Sequence, residues 1–331
     1  MDLTVIWAFV LVFGIACYVV VDGFDLGIGI LFPFLSEGEQ RNRAMNAIAP
    51  VWDGNETWLV LGGAALFSAF PLAYSIILPA LYAPIIAMLL GLIFRGVAIE
   101  FRWREARHRP WWDAGFIAGS TVAAFMQGVI LGALIQGISV AKDTYVGGWW
   151  EWLSPFSILT GASLVVGYAL LGSCWLIWKT DGELQIIARR LARFSTPGLL
   201  VAICAVSLAT PFVQRQYFDR WFDYPGLLVA APMPILVLLV ATGLWASLRA
   251  VRDWIPFVLA LVLFLLTMIG LGISIWPDVV PGRISIWEAA APHTSQLFLL
   301  VGALILIPII LTYSAFSYWV FRGKVGEEGY H

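Results

Sequence analysis

Four carboxylates sit inside two apolar stretches near the start of the chain. Asp22 and Asp25 lie in Val19-Val20-Val21-Asp22-Gly23-Phe24-Asp25-Leu26-Gly27. Asp53 and Glu56 lie in Pro50-Val51-Trp52-Asp53-Gly54-Asn55-Glu56-Thr57-Trp58-Leu59. A carboxylate at the centre of a membrane helix costs about 2.5–3.5 kcal/mol on insertion scales. Keeping four of them in apolar surroundings points to proton or cation handling. Asp22 and Asp25 are three residues apart, as are Asp53 and Glu56, so on a helix each pair shares a face. Gly23, Gly27, Gly29 and Gly54 beside them permit close helix contact or local unwinding. The competing structural role is an acid paired with an arginine or capping a broken helix. Arg95, in Phe94-Arg95-Gly96-Val97-Ala98-Ile99-Glu100-Phe101-Arg102, is placed to neutralise one of the four.

The elements that carry these acids must be membrane helices. The chain has 331 residues, 61% hydrophobic and 12% charged, against about 25% charged in a soluble domain. Runs of about 20 apolar residues span a bilayer as helices. Nine such runs occur, over roughly 4–34, 48–69, 73–97, 112–139, 155–178, 196–213, 225–248, 254–276 and 295–321. They are continuous rather than alternating, which excludes a transmembrane β-barrel. The first run is too long for the core of a cleaved signal and lacks a basic leader. The expectation is one all-α transmembrane domain over 1–331.

Fifteen of the 19 Lys and Arg fall in one alternating set of inter-span segments. The positive-inside rule then puts the C-terminus in the cytoplasm and the N-terminus outside. On that topology Asp25 and Asp22 lie roughly 12 and 16 Å in from the cytoplasmic end at Pro33. Asp53 and Glu56 lie roughly 9 and 13 Å in, counted from Ala47. All four fall in the cytoplasmic half, where they could carry protons inward. The longest connection, near 179–195, reads as a short amphipathic surface helix over 181–190. Tryptophans near span ends, as in Trp111-Trp112 and Trp149-Trp150-Glu151-Trp152, fit interfacial belts.

Other chemistries find no residues. Cys17, Cys174 and Cys204 are far apart and read as small buried hydrophobes. His108, His293 and His331 all lie outside the middle of a span, so no facing pair is available for a membrane b-type haem. No nucleic-acid partner is suggested by a net charge of −2.

The two acid-bearing stretches closely resemble subunit II of the cytochrome bd-type quinol oxidases. So do Phe94 to Arg102, Trp287-Glu288-Ala289-Ala290 with Ser295-Gln296-Leu297, and Pro308-Ile309-Ile310-Leu311-Thr312-Tyr313. The short length and compact loops resemble the cyanide-insensitive branch. The resemblance implies two four-helix bundles plus a peripheral ninth helix, in a bacterial inner membrane. It implies a partner, subunit I, that holds two b-type haems, one d-type haem and the quinol site, while this chain binds no haem or metal. A structural quinone and a small single-helix accessory subunit occur in some complexes. Carried over by motif, Asp53 leads the proton-path candidates, followed by Asp25 and Asp22. Glu56 stands where family members also carry glutamine, which implies a structural role. Trp52, Asn55, Arg95 and Glu100 are structural members of the motifs. Two other classes compete: a proton-coupled secondary transporter and a membrane scaffold. Transporters tend to break helices at matched positions in both halves, whereas the acids here are confined to the first two spans.

Overall fold

The computed structural model describes residues 2–249 and 251–326, with the side chain of Ala106 left aside; His331 lies outside the described residues. Helix α1 (Leu3–Leu31) is capped by Asp2, whose Oδ1 accepts from the Thr4 amide at 2.9 Å. There follow α2 (Glu39–Asn46), α3 (Trp52–Ala69), α4 (Pro71–Ala80), α5 (Tyr82–Arg104), α6 (Arg109–Gln136) and α7 (Pro155–Lys179). The rest of the chain forms α8 (Gly182–Val213), α9 (Arg215–Phe222), α10 (Gly226–Ala230), α11 (Pro232–Ser247), α12 (Ile255–Ile275), α13 (Ile286–Ala289) and α14 (His293–Val320). Two small hairpins, β1 (Val140–Ala141) with β2 (Thr144–Tyr145) and β3 (Asp278–Val280) with β4 (Ile284–Ser285), complete it. Lys142 and Asp143, both at positive φ, make the tight turn between β1 and β2.

Among the described residues, eight helices are long and apolar enough to cross a membrane, or nine if α3 and α4 count as one bent span. The all-α membrane architecture is as expected, but several boundaries differ. The second span starts at Trp52 rather than 48, because residues 47–51 form turns around Pro50, which has no amide proton to give. The third does not run through 73–97. Pro71 starts α4, which bends 119° from α3, and α5 begins only at Tyr82. Hydropathy is blind to these breaks because both sides of each are apolar. Conversely, the 181–190 segment is not a separate surface helix. It is continuous with the following span as the 32-residue α8.

The packing surrounds α1. It lies against α3, α6 and α7; α5 packs on α6; and α8, α11 and α12 gather on the far side of α7. Helix α14 runs along α3 and α1 with most of its surface open. Small residues set the closest crossings. At α1–α7, a Cβ on Gly27 would run into the Tyr168 carbonyl, and one on Gly172 would lie 2.6 Å from the Gly27 carbonyl carbon. The glycines of α1 thus serve close contact in an unbroken helix, not unwinding. Gly27→Ala is expected to lower stability by about 1–3 kcal/mol or more, the size of an overpacking defect. Gly63→Ala, where no atom lies within 4 Å, is the silent comparison in thermal unfolding of the purified protein.

The five segments that hold 15 of the 19 Lys and Arg meet at one end of the molecule. Arg41 pairs with Asp113 at 3.0 Å, Arg102 donates to Asn42, Arg43 pairs with Asp181, and Asp253 receives both Arg189 and Lys324 at 2.6 Å. The Arg43 guanidinium holds the Asp181 carboxyl below its ordinary range. At Asp253 burial opposes the charge, but Lys324 and Arg189 outweigh it and hold that carboxyl low as well.

Candidate functional site

The acids of α1 face inward because Tyr18, Asp22 and Asp25 recur at spacings of four and three, one helical stripe. Asp22 and Asp25 are both 0% exposed. Arg95 of α5 meets this stripe at the same depth and is also fully buried. Gly91 lets α5 press against Gly119 of α6, and Gly96 leaves room for the Trp52 ring, whose centroid lies 5.7 Å from the Arg95 guanidinium. A buried Arg can be held this way because its planar head pairs with carboxylates while its face stacks on a ring.

One guanidinium nitrogen, Arg95 Nη2, serves two acids. It lies 2.8 Å from Asp22 Oδ1 and donates to Glu56 Oε1. Tyr18 lies one turn earlier on the same face of α1, where its hydroxyl oxygen accepts from Gln127 Nε2 at 2.6 Å. Beyond its ion pair with Arg95, neither Asp22 oxygen has a hydrogen-bond partner among the described residues. Glu56 is 27% exposed and reaches the surface of the chain, whereas Asp22 and Arg95 are fully buried.

Asp25 has a different environment, with no cation in ion-pair contact among the described residues. Asn55 Nδ2 donates to Asp25 Oδ2 at 2.7 Å and to the Val21 carbonyl at 3.2 Å. The Tyr318 hydroxyl, near the end of α14, donates to Asn55 Oδ1 at 2.8 Å. Asp25 Oδ1, like Arg95 Nε and Nη1, has no hydrogen-bond partner among the described residues. Tyr318 also lines a cavity of about 310 Å³ at the basic end, together with Asn46, Pro50, Trp175, Lys179 and Lys324. The C-terminal segment roofs this cavity. Lys324 Nζ donates to the Thr180 carbonyl at 2.7 Å, and the Val325 amide to the Lys179 carbonyl at 2.7 Å.

The structure therefore brings together Asp22, Asp25, Glu56, Asn55, Arg95 and Trp52. It leaves out two residues picked from the sequence. Asp53 is exposed in the first turn of α3, on the side away from the buried Asn55, Trp58, Gly62 and Ala65. Shared spacing with Glu56 does not bring it in, because Glu56 reaches Arg95 from the edge of that face. Glu100 is exposed and lies 3.6 Å from Arg104, one turn along. Sequence reasoning missed Tyr18, Gln127, Tyr168 and Tyr318. Gln127, a lone amide inside an apolar run, was the one signal available. It also missed the ion group of Asp113 with Arg41 and the buried Arg102. The histidines stand apart: His108 pairs with Glu105 at the basic end, while His293 opens α14 at the other.

The chain is similar to known proteins. A family model described as cytochrome bd terminal oxidase subunit II matches residues 3–321. The chain is 30% identical to cytochrome bd-I ubiquinol oxidase subunit 2 of Escherichia coli (strain K12), over 94% of this chain and 92% of that one. It is 29% identical to cytochrome bd ubiquinol oxidase subunit 2 of Bacillus subtilis (strain 168), over 93% and 92%. Its fold is similar to a chain in the structure of bd oxidase from Geobacillus thermodenitrificans, with a TM-score of 0.81 and 18% identity over 97% of this chain and 99% of that one.

Proposed function

The chain belongs to the cytochrome bd terminal oxidase subunit II family, and from that premise we propose that it delivers cytoplasmic protons to the oxygen chemistry of subunit I, with Asp25 as the group that takes up and passes on each proton. The protein is a multi-pass membrane subunit of a quinol:oxygen oxidoreductase whose partner is subunit I. Family membership over nearly the whole chain favours this over a proton-coupled transporter. Haem in the complex supplies the electron transfer to oxygen, and reducing oxygen to water consumes one proton for each electron. The membrane is taken to be the bacterial inner membrane, with the basic end in the cytoplasm.

The observation that carries the proposal is the contrast between Asp22 and Asp25. Three acids, Asp22, Asp25 and Glu56, gather around one guanidinium, which pairs with Asp22 and Glu56. Burying two uncompensated negative charges is prohibitive, so the group retains protons. Asp22 and Glu56 contact Arg95; Asp25 does not, and one of its oxygens is free to accept and release a proton. Asn55 fixes the other oxygen and ties Asp25 to Tyr318, which lines the cavity at the basic end. Asn55 carries no exchangeable acid proton, so its part is to hold the acid and the phenol in register. Glu56, which reaches the chain surface, is the outlet toward the partner.

Asp53 supports uptake from outside this buried group. It stands exposed in the first turn of α3, where the helix N-terminus favours a negative charge, and its carboxylate adds to the field that concentrates protons at the mouth. Asp53→Asn should slow oxygen consumption by the purified complex by roughly tenfold, the lower end of what charge focusing contributes to on-rates, with the haem spectrum intact. Wild-type turnover would remove Asp53 from the path, and loss of the haems would show an assembly role instead.

A further inference from the structure

A cavity of about 440 Å³ opens at the end of the molecule away from the basic segments. Its size lies within the roughly 300–1,000 Å³ of small-molecule sites. Separate stretches of chain converge on it: the end of α6 at Gln136, the loop that carries Glu151, the start of α9 at Gln214 to Gln216, and the turn between β3 and β4 at Arg283. None of these residues belongs to the buried acid group.

The floor of the cavity is fixed by the cap of α6. Gly137 follows that helix at φ 98°, where an added Cβ would sit 2.3 Å from the Gln214 amide nitrogen. That nitrogen donates to the Ile135 and Gln136 carbonyls at 3.2 and 2.9 Å. The Tyr217 hydroxyl donates to the Ile135 carbonyl at 2.8 Å and holds α9 against α6. On the far wall, the Gly282 amide donates to Asp278 Oδ2 at 2.9 Å and sets the turn that carries Arg283.

The charges in this cavity are unclaimed. The exposed Arg283 side chain has no hydrogen bond or ion pair among the described residues. Arg215 gives its Nε proton to Asp219 at 3.0 Å, and its two terminal nitrogens have no partner among the described residues. Glu151 accepts from the Ser139 and Tyr145 hydroxyls and meets no cation among the described residues. Each of its oxygens keeps a second lone pair. Two guanidiniums and one carboxylate thus face one space without ion-pair contact between them. Guanidiniums match phosphate geometry, and an ammonium completes the carboxylate.

The surroundings set the depth. Trp149 and Trp150, beside Glu151, are 62% and 65% exposed. Trp276 and Trp287 stand on either side of the β3–β4 hairpin with ring centroids 6.3 Å apart, and Phe218 and Phe222 of α9 are exposed. Exposed aromatic residues at span ends mark the level of the lipid headgroups. Helix α9, with Tyr217 inward and two phenylalanines outward, has the form of a helix that lies in that interface.

We infer that this cavity holds the aminoethyl phosphate headgroup of a membrane lipid, its phosphate between Arg215 and Arg283 and its ammonium on Glu151. The chemistry recognised is a phosphate ester that carries a primary ammonium. A phosphatidylglycerol headgroup supplies the phosphate but leaves Glu151 without a counter-ion.

Native mass spectrometry of the purified whole complex tests this, after loading from micelles with equal parts of dioleoyl phosphatidylethanolamine and dioleoyl phosphatidylglycerol. Wild type should keep the ethanolamine lipid in excess. Arg283→Ala and Arg215→Ala should each weaken that retention by about tenfold, the size of one lost charge-assisted contact. Glu151→Gln keeps an acceptor for Ser139 and Tyr145 and should equalise the two lipids. The haem spectrum reports assembly of each variant, and Arg283, exposed and unpartnered, is the substitution that disturbs packing least. Equal retention of both lipids by wild type, or wild-type retention in both arginine variants, would overturn the proposal. Displacement of the lipid by an equal concentration of soluble glycerophosphoethanolamine would overturn the membrane as the source of the ligand.

Discussion

Arg95→Met should abolish assembly of the complex. Its guanidinium is fully buried and is the cation that meets Asp22 and Glu56. Removing one partner of a buried ion pair costs about 3–5 kcal/mol, because the charge left behind has neither water nor a counter-ion. That is a large part of the roughly 5–15 kcal/mol that holds a typical protein folded. The haem absorbance of membranes expressing the variant reports assembly directly. Adding Asp22→Asn and Glu56→Gln to Arg95→Met should restore much of it, since a neutral polar cluster carries no stranded charge. Wild-type levels of complex in Arg95→Met alone would show that the acids find compensation elsewhere.

Asp25→Asn should have the opposite profile, with normal assembly and impaired turnover. The substitution keeps the shape and an oxygen that accepts from Asn55 Nδ2, so the link to Tyr318 survives. What it removes is the exchangeable proton. Positioned acid–base groups contribute on the order of 10²-fold or more to proton transfer, and oxygen consumption should fall by about that factor with an unchanged haem spectrum. Asp25→Glu keeps an exchangeable proton on a longer stem and should retain more activity than Asp25→Asn. Together the two arginine and aspartate variants separate the structural acid from the working one, a distinction that matched spacing on one helix does not provide.

The apolar runs, the charge split and the acids of the first two spans were legible because each depends on composition along the chain. The partner of the acids was legible too: Arg95 stood out as a cation in an apolar run, and it pairs with Asp22 and Glu56. The helix breaks near Phe70 and Leu81 were not, since mean hydropathy is the same on both sides of a proline bend. The spacing of Asp53 and Glu56 suggested a shared face but did not show which side of α3 would be buried. The whole run of α3 places Asn55, Trp58, Gly62, Ala65 and Ala69 on the buried side, and Asp53 lies away from it. Tyr318 reaches Asn55 across 263 residues of sequence, and Gln127 joins tyrosines from two other helices. Contacts of that kind depend on which helices become neighbours, and no local pattern encodes them.

Proton uptake during a single reaction of the reduced complex with oxygen tests the central claim most directly, followed with a pH-sensitive dye on the side of the basic loops. In Asp25→Asn, uptake should slow by the same factor as steady-state oxygen consumption, while the electron transfer that precedes it keeps its wild-type rate. Uptake at the wild-type rate in that variant would contradict a proton path through Asp25.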